Sequence, residues 1–91
     1  MVILFKMKSG ETVIGSVDFQ NHEQAFNGMD FIVHEPLVLN FDGTMDNAFP
    51  LVLGLKGNIT DFAISYNDVF DVFDEDEIQE QIIADYKDMV G

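Results

Sequence analysis

Along the first part of the chain, apolar and polar residues alternate with the period of two that is typical of β-strands. Two such stretches, residues 2–8 and 12–19, flank the turn sequence Lys8-Ser9-Gly10-Glu11, in which Gly10 is free to adopt a positive φ angle. The pattern predicts a hairpin, one face of which carries Ile3, Phe5, Met7, Val13, Gly15, Val17 and Phe19. Gly15 lies in the middle of the second strand, where a glycine indicates strong bending or close approach of another backbone.

Three further strands are predicted at residues 31–41, 48–55 and 69–73, and a loop is expected at residues 20–30. Pro36 interrupts the third strand and cannot donate to a ladder, so we expect a bulge, a bend or a sheet edge there. A turn is expected over residues 42–47 around Asp42-Gly43, and residues 62–66 are expected to be a short strand or an extended lead-in.

The period changes after residue 74, and the new spacing predicts a C-terminal α-helix over residues 75–90. Asp74 is the expected N-cap, with Glu77 completing a capping box. One stripe of this helix carries Ile78, Ile82, Ile83, Tyr86, Met89 and Val90. Five short strands followed by one helix predict a single mainly-β domain over residues 1–91, built as a small, partly open barrel.

Charge and composition narrow the classes of partner. Seventeen acidic residues face four lysines and no arginine, which gives a formal net charge of −13 and no material for a broad basic face. Residues 61–91 contain Lys87 as their one lysine and most of the acids; they are either a solvated acidic segment or a docking site for a protein partner at the C-terminal helix. Nine phenylalanines among 91 residues favour burial against copies of the same chain.

The residues give little support for catalysis. Gly10 and Gly15 have the spacing of a phosphate loop, but the Lys that must follow the second glycine is absent. The acids from Asp68 to Glu77 lack the central glycine of an EF-hand loop, so a helix N-terminus is favoured over a calcium site. With no Cys, and with His22 and His34 twelve residues apart, neither a metal site nor a nucleophile is indicated, and His34 is expected to be structural or at an interface. We expect no enzyme activity, no cofactor and no metal.

No apolar run reaches the roughly 20 residues that a membrane helix needs, and residues 1–8 lack the pattern of a secretory signal. No membrane association is therefore expected. The expected location is the cytoplasm, or the host cell cytoplasm if the protein is viral.

The hairpin resembles the first motif of the Sm-like family, whose pattern is hydrophobic, x, hydrophobic, x, x, Gly, four residues, Gly, x, hydrophobic. Those places are filled here by Phe5, Met7, Gly10, Gly15 and Val17. The resemblance implies a strongly bent five-stranded, partly open barrel. It also implies a homo-oligomeric ring of five to seven subunits, built by pairing the fourth strand of one subunit with the fifth strand of the next.

The stretch before the fifth strand and the acidic C-terminal segment are most similar to the small Sm-like proteins encoded by cyanobacterial phages. In this family a loop after the second strand and an Arg-Gly step before the fifth strand bind RNA. The corresponding residues of this chain are Asn21, His22, Asn27, Lys56, Gly57 and Asn58. The resemblance implies weak binding of single-stranded RNA, and the alternative is a ring that acts as a protein-interaction scaffold without RNA.

Overall fold

A computed structural model describes residues 1–18, 31–47 and 61–91, which form one antiparallel sheet and a C-terminal helix. The elements are β1 (Val2–Met7), β2 (Thr12–Ser16), β3 (Phe31–Leu39), β4 (Met45–Asn47), β5 (Asp61–Ile64), β6 (Val69–Phe73) and α1 (Glu80–Val90). The strand order is β4–β3–β2–β1–β6, and β5 also pairs with β3. Within the described ranges the strands form an antiparallel sheet that is not closed, and one helix follows them. The predicted fold class, a mainly-β and partly open barrel with a C-terminal helix, is therefore confirmed.

The β1–β2 hairpin forms around Gly10, as the sequence predicts. Gly10 has a φ of 101°, its N–H donates to the carbonyl of Met7 at 3.0 Å, and Met7 N–H donates to the carbonyl of Glu11 at 2.8 Å. Both strands are shorter than predicted. β1 ends at Met7, and β2 ends at Ser16 although Val17 N–H still donates to the carbonyl of Met1 at 2.8 Å.

Gly15 faces a bulge in β3, which is where the sheet bends. The β2–β3 register moves from Ile14 opposite Leu37 to Ser16 opposite His34, so two residues, Glu35 and Pro36, face Gly15 alone. A Cβ atom on Gly15 would overlap Cγ1 of Val33, and the left-handed backbone of Glu35 (φ 49°) completes the bulge. The predicted bulge at Pro36 is therefore confirmed, whereas the close neighbour of Gly15 is the side chain of Val33, and the backbone atoms of His34 and Pro36 lie at ordinary contact distance.

One edge of β3 is shared by two short strands. β4 pairs with residues 37–39 and β5 pairs with residues 31–34, so the bulge separates them. The prediction of a turn over residues 42–47 is wrong in its second half, because Gly43 (φ 85°) closes a tight turn between Asn40 and Thr44 and β4 follows at once. The same turn ends β3 at Leu39, before the predicted end at residue 41. The predicted fourth strand, residues 48–55, lies outside the described residues.

The sheet buries apolar side chains on both faces. The first cluster fills the inside of the bent sheet and contains Ile3, Phe5, Val13, Val17, Phe31, Val33, Ile64, Val69 and Val72. The second lies between the sheet and α1 and contains Val2, Ile14, Met45, Ile78 and Tyr86. Alternate residues of β1 and β2 therefore enter different clusters, as the period of two requires.

The helix begins later than the sequence predicts. Glu75–Glu77 forms a 3₁₀ turn in which the side chain of Asp74 makes no capping hydrogen bond, so the predicted capping box is wrong. Ile78 has extended backbone angles and is buried in the second cluster, and this placement stops the turn from continuing into α1. Met89 also departs from the predicted stripe, since it is 56% exposed. No helix in the described ranges is long and apolar enough to cross a bilayer.

Candidate functional site

All six residues predicted to bind RNA lie outside the described residues: Asn21, His22 and Asn27 in residues 19–30, and Lys56, Gly57 and Asn58 in residues 48–60. The structure does describe the places where these two segments join the sheet. The first follows Asp18, which lies just after the end of β2, and the second precedes Asp61, the first residue of β5.

Both attachment points lie beside His34. His34 is the register partner of Ser16 on one side and of Asp61 on the other, so these three residues form one row across the sheet. In addition, His34 Nε2 lies 3.1 Å from the Oδ2 atom of Asp18. The two segments that carry the predicted RNA residues therefore adjoin the two strands that flank His34, β2 and β5.

The backbone next to His34 is held by the C-terminal helix. The hydroxyl of Tyr86 donates to the carbonyl of Glu35 at 3.0 Å and to the carbonyl of His34 at 3.1 Å. Burial of this phenol, and secondarily the negative charge of Glu35, raise the pKa of Tyr86 to about 12. Tyr86 therefore stays neutral and donates across the physiological pH range. Sequence reasoning placed it on the apolar stripe of the helix but gave no sign of this contact.

The two ends of the strand order form a second candidate surface. Among the described residues, no strand pairs with the outer edge of β6 or with the outer edges of β4 and β5. On β6, Phe70 is 74% exposed, and Tyr66, in the 3₁₀ turn that precedes the strand, is partly exposed. The N–H of Val72 is occupied locally by the carboxylate of Asp71 at 2.9 Å. An acidic side chain that covers an edge N–H is one way in which proteins limit unwanted strand pairing.

A concave surface lies where the β1–β2 hairpin meets the end of β3. Its volume is about 340 Å³, and its lining residues are Lys6, Gly10, Glu11, Thr12, Val38, Leu39, Asn40 and Phe41. Phe41 is fully exposed, and Lys6 Nζ donates to the carbonyl of Gly10 at 3.3 Å. The exposed ring and the lysine are groups that contact bases and phosphates, while Glu11 limits the positive charge of this surface.

Carboxylates lie close together before the helix. One oxygen each from Asp74, Asp76 and Glu77 lies within 4.8 Å of the others, which is close enough to hold a cation. Asp76 and Glu77 are exposed to solvent, and exposed acids at this spacing are common without a bound ion. Glu75, which lies between Asp74 and Asp76, accepts a hydrogen bond from the N–H of Val2 at 3.0 Å and so ties this turn to β1. The structural role of the turn is therefore better supported than a metal site.

No family model matches the chain, and no curated protein matches it. Function must therefore be argued from the strand order, the anchored segments and the exposed surfaces of the chain itself.

Proposed function

We propose that the chain is a ring-forming subunit of the Sm-like type, and that the ring binds single-stranded RNA. The observation that carries the proposal is the strand order β4–β3–β2–β1–β6, with β5 beside β4 on the same edge. This order leaves two unpaired outer edges in the described part of the sheet, one at each end. The Sm-like resemblance of the hairpin requires two such edges for head-to-tail pairing.

In the proposed ring, β6 of one subunit pairs with the β4–β5 edge of the next. Edge strands expose unpaired backbone groups and favour association, and a closed ring pairs every one of them. Phe70 lies on β6 with three-quarters of its side chain in solvent, and pairing of this strand would bury it. The carboxylate of Asp71 has to release the N–H of Val72 before that N–H can pair, which keeps the association modest.

The RNA part of the proposal rests on the row through His34. The segments that carry His22 and Lys56 are attached to the sheet on either side of this residue, at Asp18 and Asp61. Asn, His and Lys side chains bind single-stranded RNA by stacking and polar contacts. A net charge of −13 per subunit repels phosphate, so we expect the binding to be weak.

One observation favours a second function, a protein-interaction scaffold. The chain has no arginine, and the planar guanidinium is the side chain best suited to stacking on bases and gripping phosphates. An acidic ring without arginine is better suited to bind a basic protein than a nucleic acid.

The ring is tested by light scattering coupled to size-exclusion chromatography over a range of concentrations. We expect the unmodified chain to elute as a closed oligomer and Phe70→Asp to elute as a monomer. Phe41→Asp is the matched control, because Phe41 is also a highly exposed phenylalanine but lies in the turn before β4, so this variant stays oligomeric. If the unmodified chain is a monomer at about 100 µM, a ring with a dissociation constant below that concentration is excluded, which counts against the proposal.

RNA binding is tested by fluorescence anisotropy with labelled oligo-U and oligo-A at several salt concentrations. Binding should be detectable at about 50 mM salt and weaken as salt rises, because phosphate contacts release counterions. Lys56→Glu should remove it, whereas Lys87→Glu, the same change of charge on the C-terminal helix, should reduce it less. If the ring forms but no oligonucleotide binds at low salt, the RNA part of the proposal is wrong, and the protein-interaction scaffold is the function that remains to be tested.

A further inference from the structure

A groove separates the last turns of α1 from the turn that joins β3 to β4. Its volume is about 450 Å³, and it is lined by Gly43, Thr44, Met45, Asp85, Asp88 and Met89. We call it the helix groove. Clefts that hold small ligands or a few side chains have volumes of roughly 300–1,000 Å³, so the helix groove has room for part of a peptide.

Two methionines supply the apolar surface of the helix groove. Met45 is almost fully buried and belongs to the cluster beneath α1, whereas Met89 leaves the buried stripe of its helix and is 56% exposed. Methionine is unbranched and polarisable, and it recurs at surfaces that adapt to the side chains of a partner. The exposure of Met89 is explained if a partner covers it.

The rim of the helix groove is acidic. Asp85 and Asp88 are three residues apart on α1 and so lie on the same side of the helix. Asp42 adjoins the groove without lining it: its carboxylate accepts hydrogen bonds from the side chain and backbone of the lining residue Thr44, which hold the pKa of Asp42 below its usual value. Among the described residues that line the groove there is no lysine, and these residues present negative charge around an apolar floor.

We propose that the helix groove binds a basic peptide segment with apolar residues at helical spacing. An apolar side chain would lie against Met45 and Met89, and lysine or arginine side chains would extend along the apolar surface to reach Asp85 and Asp88. The negative charge of the whole chain attracts a basic segment and repels an acidic one, so charge selects the partner and steers its approach. The site is formed within one subunit and depends on neither the ring nor RNA.

The test uses the full chain and fluorescent peptides of about 15 residues, long enough for a helix to form on binding. The first peptide carries Lys and Leu at helical spacing, the second replaces Leu with Ser, and the third replaces Lys with Glu. We expect the first to bind, the second to bind at least about tenfold more weakly, and the third not to bind, because the groove requires both apolar contact and positive charge. Equal binding of the first two peptides would overturn the apolar part of the proposal, and failure of the first at about 50 mM salt would overturn all of it.

Two variants separate the groove from general attraction to an acidic protein. Asp85→Asn with Asp88→Asn removes two charges from the rim, and Asp68→Asn with Asp76→Asn removes two exposed charges elsewhere. We expect the first pair to weaken binding roughly tenfold and the second to change it less than about twofold, since the total charge changes equally. Equal losses of binding in the two double variants would show that the peptide responds only to the net charge of the chain, and the proposal would be wrong.

Methionine methyl resonances locate the bound peptide. In the chain labelled with ¹³C at the methionine methyl groups, the signals of Met45 and Met89 should shift on titration with the Lys-Leu peptide. Met1 and Met7, which pack against the other core cluster, should not. Shifts confined to Met1 and Met7 would overturn the assignment of the site. The Phe70→Asp variant should bind the peptide normally, so failure of the ring is distinguishable from failure of this site.

Discussion

Replacing Tyr86 with phenylalanine tests whether the C-terminal helix fixes the bend of the sheet. The phenol is 2% exposed, and its hydroxyl donates to two carbonyls of the bulge, those of His34 and Glu35. The substitution keeps the ring in the cluster beneath α1 and removes one oxygen. Its effect on stability therefore reports the hydrogen bonds and not the packing.

The magnitude follows from what the carbonyls lose. Two part-buried acceptors share one donor, and the helix excludes water from the place of the lost hydroxyl. Leaving a buried acceptor without its donor costs about 1–3 kcal/mol, and we expect a loss of about 2 kcal/mol in the free energy of unfolding. For a domain of this size, 1 kcal/mol corresponds to roughly 4–8 °C in Tm, so Tm should fall by about 8–16 °C.

Urea unfolding followed by far-ultraviolet circular dichroism measures this loss. The midpoint should fall while the slope of the transition stays the same, because the surface exposed on unfolding does not change. A loss below about 0.5 kcal/mol, the range of an ordinary surface substitution, would show that the hydroxyl of Tyr86 does not hold the bulge.

The stabilities of the unmodified chain and of Tyr86→Phe should also depend differently on pH. The pKa of Tyr86 is raised to about 12 in the folded chain, from an ordinary value of 10. Below pH 10 the phenol is neutral in both the folded and the unfolded state, so its stabilisation is complete. Between pH 10 and 12 the unfolded state ionises first, and the stability of the unmodified chain falls by about 1.4 kcal/mol per pH unit relative to Tyr86→Phe. A difference between the two that stays constant up to pH 12 would contradict the raised pKa.

Three further changes test the sheet. Gly15→Ala should lower the free energy of unfolding by about 1–3 kcal/mol, because its Cβ overlaps the side chain of Val33, and in a Val33→Ala background the same change should cost less than half as much. If urea unfolding shows that the two losses add, the overlap is ruled out. Glu75→Ala should lose about 1 kcal/mol with its hydrogen bond to the backbone of β1, whereas Asp76→Ala should stay within about 0.5 kcal/mol; equal losses by thermal unfolding would assign the effect to charge alone. Asp71→Ala uncovers an N–H of β6 and should strengthen self-association in light scattering; unchanged association would show that this edge is not used.

The parts of the fold that the sequence predicts correctly have local causes. The alternation of residues 2–7 and the turn at Gly10 depend on neighbouring residues, so the pattern alone identifies the first hairpin. Pro36 indicates a bulge because its ring removes a backbone donor whatever packs around it, and Gly15 indicates a crowded position because only a residue without a Cβ leaves room for Val33.

The errors arise where distant residues decide the structure. The capping signal of Asp74 and Glu77 is local, but Ile78 is drawn into the cluster beneath the helix and keeps extended backbone angles. β4 consists of Met45, Asp46 and Asn47, and the last two have low strand propensity. Its pairing with β3 makes it a strand, and this pairing cannot be inferred from so short a stretch.

The surfaces were harder to predict than the fold, because they combine residues that are far apart in sequence. Met45 and Met89 meet in one groove, and Tyr86 reaches the carbonyl of Glu35, but neither pair has a spacing that a motif could report. Lys6 and Lys8, just before Gly10, are two of the four lysines of the chain. Lys6 donates to the turn of its own hairpin, and it lines a surface that also holds Glu11.

The position of β1 in the sheet has a consequence for synthesis of the protein. β1 lies between β2 and β6, and its residue Leu4 pairs with Phe73. A ribosome adds roughly 5–20 residues per second, so β1 leaves it several seconds before its second neighbour exists. During that interval one edge of a highly apolar strand is open to other nascent chains. Chaperone binding or dense polysome packing would then affect the yield of this protein more than that of a domain whose first strand lies at the edge.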